Sequence, residues 1–174
     1  MPLSADDIKR AFAALSEQLA REHASAEIVV VGGAALVLLF HARETTKDVD
    51  AVFLRPEASV VRHAAEDVAG QLNLPSDWLN DGAKGYLVGI TSGELLYDSP
   101  SLTVRAASTE QLLAMKLAAW RDAIDRSDAS LLLNEMGGTR DAIWSALKPF
   151  VPLQQLDKAS YAFDGLWEAS HGSV

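Results

Sequence analysis

The residues best suited to chemistry lie within positions 29–53: a β-branched run, Gly32-Gly33, an apolar segment, and then Asp48-Val49-Asp50. Glycines at a strand-to-helix turn let the backbone approach a phosphate closely. The N-terminus of the following helix offers it unpaired N–H groups and a positive dipole end. Aspartates two apart on a strand project to the same face, where they repel each other unless a cation lies between them. Hard oxygen ligands favour Mg²⁺ or Mn²⁺, the usual partners of a nucleoside triphosphate. The pattern is a triphosphate cradle facing a metal-binding carboxylate pair. Gly-Gly is common in plain turns and Asp-x-Asp on solvated surfaces. Here the pair stands in an otherwise apolar run (Val49, Ala51, Val52, Phe53, Leu54), where a purely structural role would be costly.

Those residues need elements to hold them. Residues 28–31 read as a buried strand, followed by an apolar helix over 34–41 and a second strand over 48–54. Upstream, Ile8, Phe12, Leu15 and Leu19 recur at helical spacing over 4–21, with Ser4 as N-cap. Downstream, Pro56-Glu57 opens a helix carrying Val60, Val61, Ala64, Ala65, Val68 and Leu72. Residues 73–84, rich in Pro, Asp, Asn and Gly, read as a packed loop with Trp78 and Leu79 inside. Short strands are predicted over 86–90, 94–97 and 102–106. Ser108-Thr109-Glu110-Gln111 is a capping box opening a long helix whose stripe is Leu113, Leu117, Trp120 and Ile124. Helices over about 128–136, 139–147 and 153–170 follow. This order predicts an α/β (α+β) fold, a small mixed sheet flanked by helices with a C-terminal helical extension. We expect one domain over 1–174, with its α/β core at about 26–107 and its helical part at about 108–174.

Composition narrows the chemistry. With 174 residues, 49% hydrophobic and 22% charged, the chain has enough apolar content for an ordinary globular core. It has no cysteine, which excludes disulfides, thiol catalysis and thiolate zinc sites. A net charge of −9 argues against broad nucleic-acid binding, which relies on many phosphate contacts. The longest apolar stretch, residues 28–40, is too short to span a bilayer and is interrupted by Gly32-Gly33. No secretory leader is visible at the N-terminus, so we expect a soluble cytoplasmic protein without a membrane partner. The four histidines, His23, His41, His63 and His171, form no ligand spacing. Neither a Walker A sequence, a G-x-G-x-x-G nor a G-x-S-x-G elbow occurs.

Gly32-Gly33 followed by Arg43-Glu44-Thr45-Thr46-Lys47-Asp48-Val49-Asp50 resembles the signature of the polymerase-β-like nucleotidyltransferase superfamily. The likeness is nearest to its AbiEii-type branch of bacterial proteins, which includes toxins of toxin–antitoxin systems. It continues in Lys116 with Arg121 and Asp125-x-x-Asp128, similar to that branch's late lysine and aspartate motif. Trp78-Leu79-Asn80-Asp81 resembles a loop recurrent in small members of the group. The resemblance spans roughly residues 26–135 and implies transfer of a nucleoside monophosphate from a triphosphate to an acceptor, releasing pyrophosphate. It implies that Gly32 and Gly33 hold the triphosphate and that Asp48 and Asp50 ligate Mg²⁺ or Mn²⁺. Lys116 would neutralise nucleotide phosphates, Asp125 would be the late carboxylate, and Arg43 and Thr46 would join the nucleotide-binding set. The acceptor could be tRNA or another RNA, a protein or a small molecule, and a cognate toxin or antitoxin protein is an implied partner.

Two features set the alternative. Many members of the superfamily place a third carboxylate on a later central strand, and Leu102-Thr103-Val104-Arg105 contains no acid; Asp98 precedes it in an expected turn. The rival reading is therefore a catalytically inactive nucleotidyltransferase-fold binding or interaction module. A protein with no nucleotide site is the third. Lys116 beside the Leu113–Leu117–Trp120 stripe also fits a lysine snorkelling past a core. Asp128 with Ser127 is expected to cap the next helix. Arg43, Lys47, Arg105 and Arg121 fit either phosphate contacts or solvated charge.

Overall fold

In the computed structural model, which describes residues 1–172, the chain begins with β1 (Leu3–Ser4) and passes directly into α1 (Ala5–Arg21). Residues 173 and 174, the end of the expected helical part, lie outside the described residues. Ser4 is the N-cap: its hydroxyl accepts from Asp7 N at 3.1 Å while the Asp7 carboxylate accepts from Ser4 N at 3.0 Å. The Ser4 hydroxyl also donates to Asp7, and with Arg10 alongside, the Asp7 carboxyl falls to about 2. Ile8, Phe12, Leu15 and Leu19 form the buried face that their spacing predicts.

Next come β2 (Ala26–Val31), α2 (Gly32–Phe40), β3 (Thr45–Thr46), β4 (Val49–Arg55), α3 (Ala58–Leu72), β5 (Leu79–Asn80), β6 (Leu95–Asp98) and β7 (Leu102–Ala106). Five of these strands form one mixed sheet in the order β5-β4-β2-β7-β6. β2 runs antiparallel to β4 and parallel to β7, β5 is parallel to β4, and β6 is antiparallel to β7. β1 and β3 form a separate two-stranded sheet, with Leu3 opposite Thr46 and Ser4 opposite Thr45. α1 packs against α3. Trp78 is fully buried, as the loop reading expects; its ring lies 6.4 Å from that of Phe12 and its Nε1 donates to Ala65 O at 2.9 Å. Burying an aromatic side chain of this size contributes roughly 1.5–3 kcal/mol.

The helices of the C-terminal third are α4 (Thr109–Ala119), α5 (Ala123–Glu135), α6 (Arg140–Leu147) and α7 (Leu156–His171). The described chain divides into two compact units, one of residues 1–85 and 92–107, the other of 86–91 and the chain from 108 onward. The first contains all the strands and α1–α3, and the second contains α4–α7. Among the described residues, seven α-helices and the mixed sheet give the expected α/β class.

Three expected elements are corrected. Residues 86–90 do not form a strand. The end of the segment is held instead by the buried Gln111, whose amide donates to Gly89 O at 3.1 Å and accepts from N and Oγ1 of the adjacent Thr91 at 2.8 and 2.7 Å. The expected long helix through Ile124 stops at Ala119, because Trp120 turns left-handed (φ +37°) and Asp122 caps a new helix by accepting from Asp125 N at 2.9 Å. Ile124 is consequently exposed rather than part of the buried stripe. That new helix swallows Asp128, which is a buried interior residue of α5 and not a cap.

A glycine turn, an aspartate pair and a separate ion-paired cluster

β2 ends where α2 begins, without an intervening loop residue. The reversal is made by Gly32, whose φ of +64° is open to glycine and poorly tolerated by other residues. Val31 pairs with Asp50 across the antiparallel β2–β4 ladder, so that aspartate stands level with the turn. A Cβ built on Gly32 would lie 3.4 Å from Asp50 Oδ2. The missing side chain thus leaves the carboxylate against bare backbone at the start of a helix. Among the described residues no side chain caps α2 and none in its first turn is acidic, whereas α1, α4, α5 and α6 all have side-chain caps.

Gly33 faces the segment before β4. A Cβ there would come within 2.9 Å of Thr46 Oγ1 and 3.8 Å of Arg43 Nη2. Thr46 is held by β3 pairing with β1 and by donating to Asp48 O at 3.3 Å. Gly32, Gly33, Arg43, Thr46 and Asp50 therefore converge on one turn of the first unit. β4 starts at Val49, one residue later than expected, so Asp48 stands just ahead of the strand. Val49 and Ala51 are fully buried, while Asp48 and Asp50 on either side of Val49 are half-buried.

Burial pushes the Asp48 carboxyl above its ordinary range; Lys47 opposes this, the negative charge of Asp77 adds to it, and a hydrogen bond from the Asn80 side chain opposes it. Two half-buried carboxylates, one with raised proton affinity, beside a glycine turn over which Arg43 and Thr46 are gathered, form a donor set that fits a hard divalent cation. A different group of potential ligands, Glu22, His63 and Asp67, has its ligand atoms within 4.8 Å of one another but shares no residue with this turn. Its two carboxylates both accept from the Gln18 amide, at 2.8 and 3.0 Å.

In the second unit Lys116 and Asp125 meet each other. Lys116 Nζ lies 3.1 Å from Asp125 Oδ1 and 2.8 Å from Asp128 Oδ2, all three side chains being at most 12% exposed. Asp125 Oδ2 also accepts from Arg121 N at 3.0 Å and Arg121 Nε at 3.1 Å. Burial alone would raise the Asp125 carboxyl, but the Arg121 amide and guanidinium together with Lys116 outweigh it and hold it below the ordinary carboxylate range. The cluster ties α4 to α5 across the break at Trp120.

Asn80 and Asp77 are the site residues that sequence reading did not assign. Both belong to the packed loop, and only the parallel pairing of β5 with β4, Asp50 opposite Asn80, brings them alongside the aspartate pair. An Asn two residues before a Gly signals a local turn, and here Asn80 Oδ1 does accept from Gly82 N at 3.0 Å.

A family model described as a nucleotidyltransferase of unknown function (DUF6036) matches residues 6–135, well over half of the chain. No curated protein and no solved structure gives a significant match. The matched region contains the glycine turn, the aspartate pair and the Lys116–Asp125–Asp128 cluster.

Proposed function

The chain belongs to this family of nucleotidyltransferases of unknown function, and on that premise we propose that the Gly32–Gly33 turn with Asp48 and Asp50 is a divalent-metal-dependent site for transfer of a nucleoside monophosphate. The observation that carries this reading is the approach of Asp50 to Gly32: a carboxylate level with a left-handed glycine that opens a helix. The first-turn N–H groups of α2 would take phosphate oxygens of the nucleoside triphosphate. Thr46 and Arg43, gathered over Gly33, would add a hydroxyl and a guanidinium to the same phosphates. Asp48 and Asp50 would hold Mg²⁺ or Mn²⁺, which supplies charge neutralisation for the triphosphate and for the departing pyrophosphate. An acceptor hydroxyl oxygen would bond to the α-phosphorus as the bridging bond to pyrophosphate breaks.

Gly32-Gly33, Asp48-Val49-Asp50 and the Lys116/Asp125-x-x-Asp128 motif support a place near the AbiEii-type branch, and with it a cognate toxin or antitoxin protein as partner. Lys116 and Asp125 act in this reading through the ion-paired cluster that joins α4 to α5. A second reading, a nucleotide-binding module without transfer, draws on β7. That strand pairs with β2 directly, Val30 opposite Ala106 and Val29 opposite Arg105, yet it brings no carboxylate to the sheet, and Arg105 instead donates to Gly93 O at 3.1 Å.

Calorimetric titration with each nucleoside triphosphate, with and without Mg²⁺ or Mn²⁺, tests the site. We expect metal-dependent binding that Asp48→Asn/Asp50→Asn abolishes. Absence of binding to every triphosphate would sink the reading. Binding without transfer of a labelled monophosphate to RNA, protein or small-molecule acceptors would select the module.

A further inference from the structure

Glu22, His63 and Asp67 share no residue with the glycine turn and meet where α1 packs on α3. His63 and Asp67 are four residues apart on α3, which sets them on one face. His63 Nε2 stands 3.9 Å from Asp67 Oδ2. Glu22 is the C-cap of α1, where the negative end of the helix dipole favours a cation and disfavours an acid. One amide holds the two acids side by side: Gln18 Nε2 donates to Glu22 Oε1 at 2.8 Å and to Asp67 Oδ2 at 3.0 Å. Its orientation is fixed from the other end, because Gln18 Oε1 accepts from Arg21 Nη1 at 3.3 Å and from Gln71 Nε2 at 3.4 Å. The Arg21 guanidinium is thereby engaged with an amide oxygen and with Glu17, 3.7 Å away. Among the described residues, neither Glu22 nor Asp67 is ion-paired with a lysine or an arginine.

We propose that Glu22, His63 and Asp67 form a Zn²⁺ site, separate from the aspartate pair, that staples the end of α1 to α3. An imidazole nitrogen with two carboxylate oxygens is a zinc donor set, whereas the all-oxygen pair of Asp48 and Asp50 suits Mg²⁺ or Mn²⁺. Tetrahedral zinc, with bonds of about 2.0–2.1 Å, draws its ligand atoms to roughly 3.3 Å from one another. The three ligand atoms here lie within 4.8 Å of one another. Glu22 and His63 are exposed and Asp67 is half-buried, so small side-chain rotations close the remaining gap. Zn²⁺ supplies the positive charge that the two acids and the helix end otherwise lack, with water completing its coordination. Gln18, bonded to both carboxylates, is the outer partner that sets their orientation.

Calorimetric titration of the whole chain with Zn²⁺, in excess Mg²⁺ and without nucleotide, tests the site. We expect one Zn²⁺ per chain in the parent and equally in Asp48→Asn/Asp50→Asn, with a raised melting midpoint in both, because the ion binds the folded state. His63→Ala alters an exposed side chain, so its metal-free melting midpoint should equal that of the parent. It should nevertheless lose both saturable Zn²⁺ binding and the rise in midpoint. Gln18→Ala, which keeps all three ligands, should weaken Zn²⁺ binding by about tenfold or more. Absence of Zn²⁺ binding by the parent, or parental affinity in His63→Ala, would overturn the proposal. So would binding that survives His63→Ala and disappears in Asp48→Asn/Asp50→Asn, which would assign the ion to the aspartate pair. None of these outcomes depends on whether the protein binds a triphosphate.

Discussion

Asp48 and Asp125 are both withdrawn from water, and their carboxyls have moved in opposite directions. Asp48, half-buried before β4, is pushed up by burial with Asp77 adding negative charge. Asp125, 2% exposed at the start of α5, is also opposed by burial yet is held down by the Arg121 amide and guanidinium and by Lys116. The difference lies in compensation and not in depth. The helical unit supplies its own cations and donors to its buried acids, so that cluster is complete as folded. The sheet unit gives Asp48 an amide and a neighbouring lysine, and the balance still disfavours its charged form. An acid in that condition gains most from a ligand that brings positive charge.

The largest expected effect is on the completed cluster. Asp125→Ala leaves Lys116 with Asp128 alone and takes the acceptor from Arg121 N and Nε, and should destabilise the protein by about 1–3 kcal/mol, read by urea unfolding. Because the Asp125 carboxyl titrates below its unfolded value, that contribution is present above the ordinary carboxylate range. It fades as the pH falls beneath that range. A loss under about 1 kcal/mol would erase the contrast. Gly32→Ala comes next: a left-handed φ of +64° should cost roughly 1–2 kcal/mol. The new Cβ beside Asp50 Oδ2 should also weaken triphosphate binding in the same calorimetric assay. The smallest effect is on Asp48, whose raised carboxyl makes its charge a burden on folding above its folded titration point. Asp48→Asn should leave stability within about 1 kcal/mol of the parent, on the stabilising side, while abolishing metal-dependent binding. A clear destabilisation would show Asp48 to be as structural as Asp125.

Much of this was legible in the residues alone. Ser4 caps the start of α1, Ile8, Phe12, Leu15 and Leu19 face inward, and 102–106 is a strand, because capping and periodicity act over a few residues. The failures share a cause. Residues 86–90 carry a strand-like composition, but a strand needs a partner, and Gln111 instead takes the Gly89 carbonyl and the N–H of the adjacent Thr91. The stripe through Trp120 and Ile124 keeps helical spacing, but Asp122 competes for the backbone as a cap and breaks it.

What the sequence determined by itself is the strand, glycine turn and helix with an Asp-x-Asp following, since backbone freedom at glycine and alternation along a strand are local properties. What only the tertiary structure decided is which groups meet. Pairing of β4 with β2 sets Asp50 level with Gly32, pairing with β5 brings Asn80 and Asp77 beside Asp48, and pairing of β1 with β3 fixes Thr46 over Gly33. Lys116, Asp125 and Asp128 share one motif, but their burial and mutual ion pairing depend on a helix break that brings α5 back along α4. Charge compensation is a sum over neighbours in space, and residue spacing along the chain does not contain that sum.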